Sequence, residues 1–135
     1  MKTLVLFYSF SGKTKAIASA KAQELDADLF EVRESSKRNA FQAFTAGCYQ
    51  SIRQKMPSIQ PLHVDVDAYE RIIILMPIWA GSPAPAFNSL VGMMPTGKPL
   101  ELIFTSGSGN SNRKKVTAYV QTKGFEVVSY LDIKS

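Results

Sequence analysis

The 135-residue chain is poor in cysteine and histidine, and it has no long apolar run. Cys48 is the only cysteine, which excludes an intrachain disulfide and suits a reducing, cytoplasmic setting. No apolar stretch approaches the roughly 20 residues that span a bilayer, and Thr3–Tyr8 is too short for a secretory signal core. Low-complexity linkers and internal repeats are missing as well. The length supports one domain, 1–135, with a real core, and is too small for two. Acidic residues number 11 against 16 basic ones, for a formal net charge of +5. The basic groups are dispersed, with small concentrations at Arg33–Arg38 and Arg113–Lys115 and no interleaved aromatics, so nucleic acid and membrane surface are not expected partners. The excess charge either solvates the surface or meets an acidic partner. Lone His63 reads as a surface residue and Cys48 as a core residue, which leaves no metal-ligand cluster.

Strand-like and helix-like segments alternate from end to end. Thr3–Tyr8 and Asp28–Val32 read as strands, and Arg71–Met76, the most apolar segment, as the central parallel strand. Leu100–Phe104 and Phe125–Ile133 complete five. Lys13–Leu25 reads as a helix whose inward face uses Ile17, Ala20 and Leu25. Asn39–Lys55 carries a helical stripe of Phe41, Phe44, Cys48 and Ile52, and Pro57–Glu70 is a longer polar connection. Pro85–Met94 places Phe87, Leu90, Val91 and Met94 on one face, and Ser111–Lys123 is a last helix stopped by Gly124. This alternation predicts an α/β fold, a parallel sheet with helices on both faces. Along Phe125–Ile133 the odd positions are mostly apolar and the even ones largely polar, the pattern of a half-exposed strand. A water-tolerant face, a truncation, or a face covered by a second subunit in a homodimer each account for it.

Three loops leave the carboxyl ends of these strands, where open α/β sheets bind ligands. The first, Ser9-Phe10-Ser11-Gly12-Lys13-Thr14, offers hydroxyls, a glycine for close backbone approach, and the positive end of a helix dipole. It suits a phosphate; a plain helix start capped by Ser11 is the alternative. A nucleotide-hydrolase loop is excluded because Phe7 stands where its first glycine belongs. The second, Pro77-Ile78-Trp79-Ala80-Gly81-Ser82-Pro83, is stiffened by prolines and carries the only tryptophan, suited to stacking on a planar ring or to filling a core. The third, Thr105-Ser106-Gly107-Ser108-Gly109, presents small residues and hydroxyls whose main chain could bond a ring edge, or it is a simple turn. The run from Gly107 departs from the dinucleotide fingerprint at Asn112. A phosphate loop beside an indole loop points to a planar, phosphorylated ring such as flavin mononucleotide (FMN).

From Met1 to about Ile133 the chain resembles the flavodoxin family. Ser9–Thr14 match its Ser/Thr-x-Ser/Thr-Gly-x-Thr phosphate pattern, Tyr69–Gly81 its third strand and first flavin loop, and Thr105–Gly109 its second flavin loop. The resemblance implies a flavodoxin-like five-stranded sheet of order 2-1-3-4-5, with FMN over the ends of strands one, three and four. Ser9 to Thr14, Pro77 to Gly81 and Thr105 to Gly109 would be the cofactor-binding residues. Two departures stand out: electron-carrying flavodoxins are usually strongly acidic, and family members normally end in a fifth helix, absent here.

The reading that follows is an FMN-binding redox protein in which the flavin performs the electron chemistry. Trp79 would stack on the ring, the Ala80–Gly81 peptide would reorient on reduction, and no catalytic acid, base or nucleophile is required. Its partner would be a redox protein. One alternative is a reductase passing hydride from NAD(P)H to a quinone or similar small acceptor; another is a flavin-free scaffold for protein binding.

Overall fold

The computed structural model describes residues 2–36 and 38–135. Its sheet contains β1 (Thr3–Phe7), β2 (Asp28–Glu31), β3 (Arg71–Trp79), β5 (Pro99–Ser106) and β6 (Glu126–Lys134), all parallel, in the order β2-β1-β3-β5-β6. A two-residue strand, β4 (Ser82–Pro83), folds back antiparallel on the end of β3. Counting only the five long strands, this is the expected 2-1-3-4-5 order.

Apolar runs with no alternation make the central strands. Leu4–Phe7 and Ile72–Met76 are buried on both sides, so covering them requires two helical layers. Each fully buried leucine or isoleucine contributes about 1.5–3 kcal/mol of transfer free energy. Leu4, Leu6, Ile72, Ile74 and Met76 pack with α4 (Ala86–Met93) and α5 (Arg113–Thr122). Val5, Phe7, Ile73 and Leu75 pack on the other face against α1 (Lys13–Leu25). The period of two along each strand sorts the residues between these layers.

The inward face of α1 differs from expectation. Thr14, Ala18 and Ala22 are buried while Ala20 is exposed and Ile17 and Leu25 only border the core. Residues spaced by four with the smallest side chains let the helix axis approach the sheet. The same preference reshapes the next helical segment. The helix expected there runs without a gap from Ala40 to Ile52, as α2 (Ala40–Gln42), a π-helical stretch Ala43–Gly47, and α3 (Cys48–Ile52). Ala43, Gly47 and Ser51 face inward, whereas Phe41 is 74% and Ile52 49% exposed. Cys48 is half-buried, and the Phe44 side chain lies outside the described residues. The apolar stripe expected in the core is therefore largely on the surface.

The long connection to β3 carries only an isolated bridge, Glu34 to Ile59, and a 3-10 turn at Val66–Ala68 capped by the Asp65 carboxylate. It spans the sheet because β3 lies beyond β1. In β6, a bulge opposite Leu100 and Glu101 leaves Val128 unpaired, and the strict odd–even pattern breaks there. Val127 and Tyr130 consequently pack on the α4–α5 side, Ile133 borders the α1 side, and Val128 and Leu131 are exposed. Among the described residues, no helix is long and apolar enough to cross a membrane.

Candidate functional site

Past β1 the chain turns at Ser9–Gly12 and enters α1. Gly12 is the N-cap residue, at φ 96°, and no side chain caps the helix. Ser11 therefore does not act as the cap; Ser9 Oγ instead accepts from Gly12 N at 3.0 Å. The amides at the start of α1 have no side-chain acceptor, and its first turn carries no acidic residue. Unpaired amides on the positive end of a helix dipole attract an anion. Ser11, Gly12 and Lys13 are exposed, and a Cβ at Gly12 would meet nothing within 4 Å.

Pro77, Ile78 and Trp79 belong to β3 itself, so the second loop is shorter than its sequence suggested. Only Ala80 and Gly81 form the turn into β4, at φ 53° and 84°. Two positive-φ residues joining antiparallel strands make a type I′ hairpin, and Ala80 holds there at a cost of about 1–2 kcal/mol. Thr105 and Ser106 close β5, and Gly107–Gly109 form the third turn, in which Ser106 Oγ accepts from Gly109 N at 2.9 Å.

Hydrogen bonds join the three turns. The hydroxyls of Thr14 and Thr105, both buried, lie 2.8 Å apart. Gly81 O accepts from Asn112 N at 2.8 Å, and Asn112 in turn caps α5 by accepting from Lys115 N. Phe7 pairs with Leu75, and Pro77 with Thr105, so the turns hang from three adjacent strands. Gly81 and Gly107, like Gly12, face open space. A planar group could lie across these strand ends with an anionic tail on the α1 amides.

Trp79 is half-buried and edged by two rings, Tyr8 at 6.1 Å and Phe10 at 5.9 Å between centroids. The Arg38 guanidinium lies over the indole, 5.7 Å from its centroid, an arrangement worth about 0.5–2 kcal/mol. Gly47, in the π-helical stretch, abuts the six-membered ring so closely that a Cβ there would sit 2.8 Å from Cζ3. Arg38 is fixed from behind. It donates to both oxygens of Glu34, at 2.8 Å from Nε to Oε1, and to the Gln50 amide. Glu34 Oε1 also accepts from the Tyr8 hydroxyl at 2.7 Å. Burial, reinforced by this bond to a carboxylate, pushes the Tyr8 phenol well above its ordinary range. Tyr8, Glu34, Arg38, Gly47 and Gln50 carry no local motif, and contacts across up to 71 positions, the separation of Tyr8 from Trp79, could not be read from spacing.

Two cavities, of about 350 and 360 Å³, share Glu34, Ser36 and Arg38 as lining. One reaches Tyr8, Ser9 and Phe10, the other Gln42, Ala46 and Gln50. Neither is lined by residues of the second or third turn. His63 is exposed. Among the described residues, no group of three or more His, Cys, Asp or Glu could hold a metal ion.

No family model matches the chain, and no curated protein sequence matches it. Solved structures do. A flavoprotein from Lactobacillus acidophilus NCFM in complex with FMN is 29% identical, with a TM-score of 0.79 over 96% of this chain and 91% of that one. The apo-form of the flavoprotein from the same organism, also 29% identical, gives 0.75 over 96% and 89%. Oxidised flavodoxin 2 from Bacillus cereus is 19% identical, with a TM-score of 0.59 over 99% of this chain and 84% of that one.

Proposed function

From the premise that this chain has the flavodoxin fold, we propose that it binds FMN non-covalently across the three turns and transfers electrons through it. The observation that carries this reading is the uncapped start of α1 below Gly12, beside Trp79 at the tip of the neighbouring strand. When bound, FMN supplies the redox chemistry. The chain's own part is placement and electrostatics. The α1 amides, with the Ser9, Ser11 and Thr14 hydroxyls, hold the phosphate. Trp79, fixed by Arg38 and Gly47, offers an aromatic surface to the ring. The peptides of Ala80–Gly81 and Gly107–Gly109 bond its polar edge. The Arg38 guanidinium beside the indole balances the Glu34 carboxylate, so losing it would leave an unpaired negative charge near the site and disfavour added electron density there.

Adding FMN to the purified chain tests this directly. The expected result is a red-shifted, structured flavin absorbance with quenched Trp79 emission. Riboflavin, which lacks the phosphate, should bind at least about tenfold more weakly, because charge-assisted bonds to the α1 amides are lost. A redox titration should give a less negative potential for the wild type than for Arg38→Gln. Equal affinity for FMN and riboflavin would remove the first turn from the site, and no binding of either would end the reading. Adding NADH or NADPH to the holoprotein separates carrier from reductase: rapid bleaching of the flavin marks the reductase.

A further inference from the structure

The charge of this chain is sorted in space. From Ser35 to Val64, from Arg71 to Leu100 and from Leu102 to Phe125 there is no aspartate or glutamate at all. These stretches build α2, α3, the β3–β4 turn, α4 and α5. Eight of the eleven carboxylates gather where strands begin: Glu24, Asp26 and Asp28 before and within the start of β2, Asp65, Asp67 and Glu70 before β3, and Glu101 and Glu126 at the starts of β5 and β6; Glu31, Glu34 and Asp132 lie toward the carboxyl ends, Glu34 paired with Arg38. The candidate site lies at the opposite edge of the sheet.

On the acid-free side the surface is also apolar at its centre. Tyr49, Ile52, Met56 and Met93 are each about half exposed, between 49% and 57%. They form one surface. Arg53 lies over the Tyr49 ring at 5.9 Å, Lys115 Nζ donates to the Ile52 carbonyl, and the Met56 side chain covers Gly92, next to Met93. Arg53, Lys55 and the Arg113–Lys115 run supply its basic rim. Aromatic and methionine side chains interleaved with arginine are what protein interfaces enrich. Gln50 and Gln54 lie among them, a mixture that suits a protein partner better than acyl chains. The patch is carried by the same helical segment whose Gly47 supports Trp79.

We propose that this face, from α3 across to the start of α5, docks an acidic protein partner that presents carboxylates around an apolar centre. As an electron-exchange surface it rests on the FMN reading; as a docking surface it does not. The partner polarity is the reverse of that expected for an acidic carrier.

The test uses the full chain, with and without FMN, and a small acidic iron–sulfur ferredoxin as probe. Amide chemical shifts should move on 41–56, 80–93 and 107–118 and leave α1 unchanged. Affinity should fall at least about tenfold between about 20 and 200 mM NaCl, since exposed charge pairs are screened over that range. Arg53→Glu with Lys114→Glu should weaken binding at least about tenfold, and Ile52→Ser should weaken it as well. Lys2→Glu with Lys21→Glu, the same charge change at the other end, should leave binding within about twofold, with circular dichroism confirming that every variant folds. Equal losses from both charge pairs would overturn the proposal. So would shifts spread over α1, self-association through this face in place of ferredoxin binding, or tighter binding to phosphatidylserine vesicles or duplex DNA. A chain that fails to take up FMN yet shows the expected shifts refutes the flavin reading alone. A chain that binds FMN without those shifts refutes only the docking face.

Discussion

Replacing Gly47 with alanine sets two effects of known sign against each other. The backbone there is helical, at φ −63° and ψ −46°, so alanine meets no strain and gains about 1 kcal/mol of helix propensity. Space opposes it. The new Cβ would lie 2.8 Å from Cζ3 and 3.0 Å from Cε3 of Trp79, about 1 Å inside the best carbon–carbon separation. Against an immovable neighbour such overpacking costs about 1–3 kcal/mol. Trp79 is half-buried at a strand end and can tilt outward, giving up its edge contacts with Tyr8 and Phe10, each worth about 0.5–1.5 kcal/mol. The net loss of stability should therefore be small, about 0–2 kcal/mol. The larger signature is a displaced indole. Trp79 is the only tryptophan, so its emission reports the shift without ambiguity. FMN affinity should weaken about 3–10-fold, the equivalent of losing roughly one aromatic contact. If Gly47→Ala raises the urea midpoint while emission and FMN affinity stay unchanged, the indole is not positioned by this contact.

Thr14→Val should cost about 1–3 kcal/mol in chemical denaturation, because the buried Thr105 hydroxyl then loses its partner, while adding Thr105→Val should recover much of that loss. A double variant less stable than Thr14→Val by a further equal step would disprove the pairing. Tyr8 keeps its proton in the folded chain at pH values where the unfolded chain releases it, since its folded pKa is raised. Its contribution to stability is complete below about pH 10 and is lost as pH climbs further; Tyr8→Phe should make alkaline destabilisation shallower, measured by urea unfolding across that range. Ala80→Gly should raise the urea midpoint, or at least leave it unchanged, by relieving a left-handed alanine; a lower midpoint would show that the alanine methyl makes a contact that matters more than the strain.

The layers of the fold were legible because their signals are local. Ile72–Met76 is apolar at every position, which only a strand covered on both faces requires, and Phe87, Leu90, Val91 and Met94 fall on one helical face where all four are buried. What misled was the assumption that large apolar residues choose the inward face. In Lys13–Leu25 and again in 40–52, alanine, glycine and serine at spacings of four face inward, because a helix seated against a sheet or an indole gains more from close approach than from one more large side chain. The break of phase in β6 was equally hidden, since the bulge at Val128 answers to its pairing with Leu100 and Glu101 and not to its own neighbours.

The candidate site divides along the same line. Backbone-dictated features, a glycine entering a helix and a turn after an apolar strand, can be found from a few adjacent letters, and the three turns do lie on neighbouring strand ends. The setting of Trp79 cannot. Its position depends on Arg38, which depends on Glu34 and Gln50, and Glu34 also accepts a hydrogen bond from the Tyr8 hydroxyl. Such a chain of bonds is specified by tertiary proximity among residues that are individually ordinary. Glu34 and Arg38 bury nearly all of their side chains, at 6% and 10% exposure. An ion pair so desolvated gains little net stability over apolar packing, while removing one partner is costly. Its presence beside the indole is therefore better explained by what it positions than by what it stabilises. Arg38→Met should accordingly disturb Trp79 emission and FMN binding more than Lys21→Met, whose partner Glu24 is a weak surface contact at 4.0 Å.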